Sequence, residues 1–265
     1  MPMSSANPIA VVTGASSGIG AVYADRLASR GHDLVLVARR MERLHQLVHT
    51  LSAAHGIAAH PMQADLTTEA GLGRVEDLLR TDERIGLLVN NAGNGKLCST
   101  ADMSDADAAA TIALNVVAPT RLTRAVLPAF LKRRSGAIIN IASVMAFHAL
   151  PVTTLYSATK SYALMFTRGL QEELANTGVR VQAVLPAGTA TEFYDQAGIP
   201  LSAFDPAVVM TTEQLVDAAL AGFDQGEAVT LPSVHDTSVW TTYEQARSAL
   251  FGATQVGTPA PRYVA

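Results

Sequence analysis

One cysteine in 265 residues, Cys98, cannot form an internal disulfide. This fits a reducing compartment and reads as a small hydrophobe in the core or a loop. Lysine is nearly as scarce, with three residues. Together with a net charge of −4 and a pI near 6.0, this leaves the chain without the basic footprint that nucleic acid or an anionic membrane surface demands. Small neutral or anionic molecules remain as partners. No run of eighteen apolar residues occurs, and the opening MPMSSANP has neither a charged n-region nor an apolar h-region, so the expectation is a cytoplasmic protein with no membrane partner. Linkers rich in Pro, Gly or Ser, charge blocks, repeats and low-complexity tracts are absent too, which predicts a single domain over 1–265.

What is present is an alternation. Short β-rich runs at 9–13, 33–38, 57–62, 86–91, 137–142, 179–185 and 228–231 are separated by helical patterns at about 17–30, 40–54, 68–81, 105–134, 154–176 and 212–224. Seven strands in this β-α-β order predict a parallel sheet with helices on both faces, and right-handed crossovers favour a doubly wound topology. The longest helical pattern is expected to be interrupted near Pro119 and Pro128. Residues 188–211 break the alternation; irregular segments of that length in a compact domain are usually functional, and this one is a candidate lid.

Three clusters carry chemistry. The first strand runs into Thr13-Gly14-Ala15-Ser16-Ser17-Gly18-Ile19-Gly20 ahead of a helix, a turn whose glycines let backbone N–H groups approach a pyrophosphate. Tyr156 and Lys160 lie one helical turn apart, so a phenol and an ammonium can converge on one reacting atom; chance would supply about 0.07 such pairs. Ser143 follows the apolar strand at 137–142, at a carboxyl end where open α/β sheets bind ligands.

In these motifs the chain resembles the short-chain dehydrogenases/reductases, single-domain branch, from about Ile9 to the strand at 228–231. Thr13 to Gly20 match the family's TGxxxGxG turn, Asn90-Asn91-Ala92-Gly93 its NNAG segment, and Tyr156 with Lys160 its YxxxK. The resemblance implies a Rossmann-type fold, a homodimer or homotetramer, and an Asn115-Ser143-Tyr156-Lys160 tetrad. It implies that Asp65, with Leu66, borders the adenine and that the stretch Pro186, Ala187, Gly188, Thr189 and Thr191 brackets the nicotinamide. Here the chain departs from the family's PGxxxT pattern, with Ala187 in the usual glycine position and Gly188 displaced by one.

The implied reaction interconverts a ketone or aldehyde with an alcohol by hydride transfer. Tyr156 is its general acid/base, Ser143 donates to the substrate oxygen, Lys160 lowers the phenol's pKa, and Asn115 holds a water that leads to solvent. No metal is required. The cofactor-binding set is Gly14, Ser16, Ser17, Gly18, Ile19, Gly20, Arg39, Arg40, Asp65, Leu66, Asn91, Ala92, Gly93, Tyr156, Lys160, Pro186, Ala187, Gly188, Thr189 and Thr191. Ala38 stands where an NAD-preferring domain commonly carries a carboxylate, and two arginines follow it, so NADP(H) is expected, with NAD(H) as the alternative. Arg39 is the main expected contact of the 2′-phosphate, with Arg40 assisting or facing solvent. Met145, Phe147, Leu150 and Phe193 are candidates for an apolar substrate wall, against ordinary core packing; His148, also a candidate substrate neighbour, reads as a polar group at the surface or lining the pocket, against a catalytic one. His45 and His49 lack the glutamate of a zinc HExxH motif and read as a solvated helix face. A C=C or thioester-linked substrate and a nucleotide sensor without turnover are the rival functions.

Overall fold

The structure is a computed structural model and describes residues 7–264; all but the last two residues of the opening octapeptide lie outside the described residues. Strands β1 (Ile9–Thr13), β2 (Asp33–Ala38), β3 (Ala59–Gln63), β4 (Ile85–Asn90), β5 (Gly136–Ile141), β6 (Val179–Val184) and β7 (Val229–Thr230) form one parallel sheet in the order β3-β2-β1-β4-β5-β6-β7. The strand order reverses between β1 and β4, and the crevice there is the topological switch point of a doubly wound sheet.

Both faces of the sheet are covered, which is why its central strands read as continuous apolar runs. Ala10, Val12, Leu34 and Leu36 point into one core layer with Tyr23, Leu27 and Leu44 from α1 (Gly18–Ser29) and α2 (Met41–His55). Ile9, Val11, Val35 and Val37 point into the other, with Leu72 and Val75 from α3 (Glu69–Thr81). The edge strand β3 carries Pro61, which an interior strand could not accommodate without losing a ladder donor.

The helical pattern at 105–134 is α4 (Asp105–Ile112), a π-helical turn at Ala113–Val117 and α5 (Ala118–Arg133). The interruption therefore precedes Pro119, which sits in the first turn of α5 where its missing N–H costs little. Pro128 does not interrupt α5 as expected: the residue is exposed, so the carbonyl it leaves without a donor is on the solvent side. Beyond β5 come α6 (Thr154–Glu173) and, after β6, α7 (Phe193–Ala197) and α8 (Thr212–Gln225). A capping box, Thr211 with Gln214, starts α8.

By their contacts the residues divide into two units, one ending at Pro232 and one beginning at Ser233. The Rossmann-type domain is the first. The second contains α9 (Thr237–Ala253), a helix with no buried residue that the periodicity did not predict.

A polar chain crosses the core under the carboxyl ends of β4 and β5. Asn90 Nδ2 donates to Asn140 Oδ1 at 2.9 Å, Asn140 Nδ2 donates to Thr167 Oγ1 at 2.9 Å, and Thr167 donates to Ala163 O at 2.7 Å. All three side chains are buried, so each bond matters more for the cost of losing it than for its net gain. Asn140→Leu keeps the branched shape but removes the acceptor of one Asn90 amide proton and the donor to the Thr167 hydroxyl, leaving these groups only their contacts to Thr123 and Ala163. Urea unfolding should show a loss of about 1–3 kcal/mol; an unchanged midpoint would mean that the chain is dispensable.

Candidate functional site

The carboxyl ends of the central strands open into a cavity of about 700 Å³. Beneath it, at the end of β1, lies the buried Thr13. The Thr13 hydroxyl donates to Val89 O at 3.1 Å and accepts Asn91 N and Ala92 N at 3.0 Å each, using its whole hydrogen-bonding capacity. Asn91 returns the contact, its Nδ2 donating to Thr13 O at 2.9 Å. The two backbones come so close that Gly14, at φ +66°, has no room for a side chain: a Cβ there would lie 2.8 Å from Asn91 Nδ2. A Cβ on Gly20, in the first turn of α1, would strike the Gly14 carbonyl.

Ser17 occupies the N-cap of α1 but makes no side-chain cap, so the first N–H groups of the helix stay available to an anion. Its hydroxyl accepts instead from Arg40 Nη2 at 2.7 Å, and Ser16 Oγ accepts from Arg40 Nε and Nη2 at 3.2 and 3.1 Å. Arg40 Nη1 continues to Glu192 at 2.8 Å. Arg39 also lines the cavity, is exposed, and carries no ion pair among the described residues. Asp65 accepts from Thr67 N and Thr67 Oγ1 at 2.9 and 2.7 Å; these bonds hold its carboxyl below the usual range. The glycine cradle and the uncapped helix fit the pyrophosphate of a dinucleotide, and both arginines line the same cavity. Of the sequence-derived cofactor residues all line this cavity except Gly20, which is buried beneath the turn.

At the other end stand Ser143 and Tyr156. Ser143, just past β5, has extended backbone, and its Oγ accepts from Met145 N at 3.2 Å and donates to Pro186 O at 3.4 Å. Tyr156 lies in the first turn of α6, and one turn later the buried Lys160 donates to Ile141 O at 2.9 Å. Lys160 Nζ lies 5.6 Å from the centre of the Tyr156 ring. Burial brings the ammonium down to about 8, and burial drives the phenol well above its ordinary value although the Ser143 hydroxyl acts in the opposite sense. In the free protein Tyr156 thus keeps its proton at neutral pH, and the lowering expected from Lys160 is not found. Asn115, in the π-helical turn, does not line the cavity. It is held one layer behind, donating to Asn94 O at 2.7 Å and Thr159 Oγ1 at 3.0 Å while accepting Asn94 N at 3.0 Å.

Met145, Leu150 and Phe193 line the cavity near Tyr156; Phe147 and His148 are exposed and lie outside it. Phe193 packs against Tyr156 with ring centres 5.4 Å apart, and Tyr194 packs on Phe204 at 4.8 Å. The segment 188–211 is closed at its base, where Met210 N donates to Gly188 O and Ala190 N to Met210 O, each at 2.9 Å. Ala187 is not in the left-handed region, so the departure from the glycine pattern brings no backbone strain. The pattern did not single out Leu97, Ile199, Phe204 or Val208, which complete the apolar wall, nor Gly95, where a Cβ would come within 2.6 Å of the Tyr156 ring. The doublet Asn94-Gly95 directly after NNAG was the available signal for Gly95.

The depressed Lys160 value has a measurable consequence. An unfolded lysine keeps its ordinary value near 10.5, so between about pH 8 and 10.5 the unfolded chain binds more protons than the folded one. Stability therefore rises with pH through that window, while below it both states are charged and burial is fully opposed. Urea unfolding of the parent should gain on Lys160→Met as pH rises from 8 to 10; parallel profiles would contradict an ammonium depressed by burial.

Comparison with known proteins agrees with this geometry. The short chain dehydrogenase family model matches residues 8–199. A solved short-chain dehydrogenase from Sphingobium yanoikuyae in complex with NADPH is 45% identical, with a TM-score of 0.94 over 97% of this chain and 99% of that one. A bulky-bulky ketone specific alcohol dehydrogenase from Comamonas testosteroni is 40% identical, with a TM-score of 0.90 over 98% and 100%. The very-long-chain 3-oxoacyl-CoA reductase of Bos taurus is 36% identical over 187 residues, 69% of this chain, and the match spans only 60% of that protein's length. The chain belongs to the short-chain dehydrogenase family of oxidoreductases.

Proposed function

We propose that this protein is an NADP(H)-preferring carbonyl reductase or alcohol dehydrogenase acting on apolar, moderately bulky ketones or aldehydes. One observation carries the reading: Ser143 and Tyr156 line the same cavity as the glycine turn and Arg39. Gly14, Gly18 and the start of α1 would hold the pyrophosphate, Arg39 the 2′-phosphate with help from Arg40, and Asp65 and Leu66 would border the adenine. When bound, the nicotinamide supplies or accepts hydride. Tyr156, protonated at neutral pH, gives its phenolic proton to the carbonyl oxygen as negative charge grows there, and Ser143 donates a second hydrogen bond to that oxygen. Lys160 stays mostly cationic at pH 7 and stabilises the phenolate that remains. Asn115, whose amide protons are taken by Asn94 and Thr159, would hold through its oxygen the water by which the proton is replaced.

The segment 188–211 is the lid in this scheme, presenting Phe193, Tyr194 and Phe204 to the substrate side. The domain acts as a cytoplasmic homodimer or homotetramer on a small-molecule substrate; no described helix is long and apolar enough to cross a membrane. The Sphingobium complex with NADPH supports the cofactor, and the Comamonas enzyme's ketone specificity supports the substrate class. A second reading, a thioester-linked 3-oxoacyl substrate, takes its support from the curated relatives' names. A panel containing bulky ketones and a 3-oxoacyl thioester, followed by absorbance of the reduced nicotinamide, separates the two.

Two variants test the assignments. Tyr156→Phe keeps the ring and removes the acid, so turnover should fall by about 10²–10⁴-fold while cofactor affinity stays nearly unchanged. Activity within threefold of the parent would remove Tyr156 from its role. NADPH should be used at least about tenfold more efficiently than NADH, and Arg39→Ala should abolish most of that difference. Equal efficiency in the parent would return the arginines to solvated surface charge.

A further inference from the structure

Glu192 lies at the boundary between the two ends of the site. It directly precedes α7, which carries Phe193, yet its carboxylate reaches the cofactor end: Oε2 accepts from Arg40 Nη1 at 2.8 Å and Oε1 from Arg43 Nη1 at 2.6 Å. Arg43 projects from the first turn of α2, three residues past the arginine pair that follows β2. Nε and Nη2 of Arg40 are taken up by Ser16 and Ser17. Four of the five Arg40 N–H donors are therefore engaged, whereas Arg39 beside it has no ion pair among the described residues. Two carboxylate oxygens on two guanidinium groups meet the same donors and the same charge that a phosphate would.

We propose that Glu192 is a cofactor-selectivity residue whose carboxylate competes within the chain for Arg40 against the 2′-phosphate of NADP(H). The proposal rests on the NADP(H) reading above and adds to it a residue that works against the preference. For a phosphate oxygen to take the place of Glu192 on Arg40 Nη1, that bond must break; Arg43 keeps its own bond to the carboxylate, so the displaced Glu192 is not left without a cation. Both members of the Arg40–Glu192 pair are about 40% exposed, at 39% and 42%, so solvent screens the pair and the competition is modest. Removing the carboxylate should raise affinity for a 2′-phosphate about three- to fivefold. A ligand that lacks this phosphate leaves Arg40 where it is and should gain nothing.

The test is calorimetric titration with adenosine 2′,5′-bisphosphate and adenosine 5′-monophosphate, which differ only in the 2′-phosphate. The proteins are the full-length parent, Glu192→Gln, Glu192→Ala, Arg40→Ala and the double variant Arg40→Ala/Glu192→Gln. Both Glu192 variants should bind the bisphosphate about three- to fivefold more tightly than the parent and the monophosphate equally well. Arg40→Ala should cost more bisphosphate affinity in the Glu192→Gln background than in the parent, because only there is Arg40 free of the competing carboxylate. An equal gain for both ligands would show a general effect of negative charge at the cavity mouth and overturn the proposal, as would a gain that survives in the double variant. If the parent prefers the bisphosphate and the Glu192 variants show no gain, the competition is refuted while the NADP(H) reading stands. If none of the proteins distinguishes the two ligands, the NADP(H) reading itself is refuted.

Discussion

The close approach of two backbones at the switch point governs the rest of this structure. Thr13 spends every lone pair and proton of its hydroxyl on tying β1 to the segment after β4, and Asn91 answers with its side-chain amide. Once they are this close, Gly14 and Gly20 are forced by geometry, and α1 must begin where its uncapped N–H groups meet the cavity. A sheet buried on both faces makes this possible, because neither backbone can retreat into solvent without uncovering a core layer.

The end that holds Ser143, Tyr156 and Lys160 is governed by different forces. Tyr156 and Lys160 are held among protein groups that disfavour their charged forms, and the structure offsets this with single directed contacts: Ile141 O for the ammonium and the Ser143 hydroxyl beside the phenol. Behind them the buried Asn90, Asn140 and Thr167 join β4, β5 and α6. A core of hydrocarbon alone would let those elements slide; directed bonds fix their register. Asn90, the first residue of the NNAG segment, belongs to this interior chain, while its neighbours Asn91, Ala92 and Gly93, the ones expected at the cofactor, face the cavity.

Legibility in the sequence followed the range of the forces involved. Continuous apolar runs fixed the central strands to within a residue or two, since double-sided burial leaves a local pattern. The edge strand β3, with Pro61 and half-exposed neighbours, started two residues later than its composition suggested. Tyr156, Lys160 and Ser143 were readable because their spacing is set by one helix and one strand end. Glu192 was not, because its meaning comes from Arg40 and Arg43, about 150 residues away along the chain. Phe147 and His148, adjacent to lining residues in sequence, turn outward after the short 3-10 turn at Val144–Ala146. The helix α9 left no periodic trace because it has no buried face to encode.

The π-helical turn at Ala113–Val117 makes the length of this region as informative as its composition. A π turn accommodates one residue more than an α-helix would over the same rise. Excising a residue there would allow α4 and α5 to fuse into one regular helix, a local gain in hydrogen bonding. Each residue advances a helix by about 100°, so the fusion would also rotate Leu122, Thr123 and Val126 off the faces they now bury, or swing Asn115 away from Asn94 and Thr159. Point substitutions can be absorbed at several of these positions, but a change of register cannot. The irregular turn is therefore a frame marker, and insertions or deletions in this domain belong in the surface loops rather than between Asp105 and Arg133.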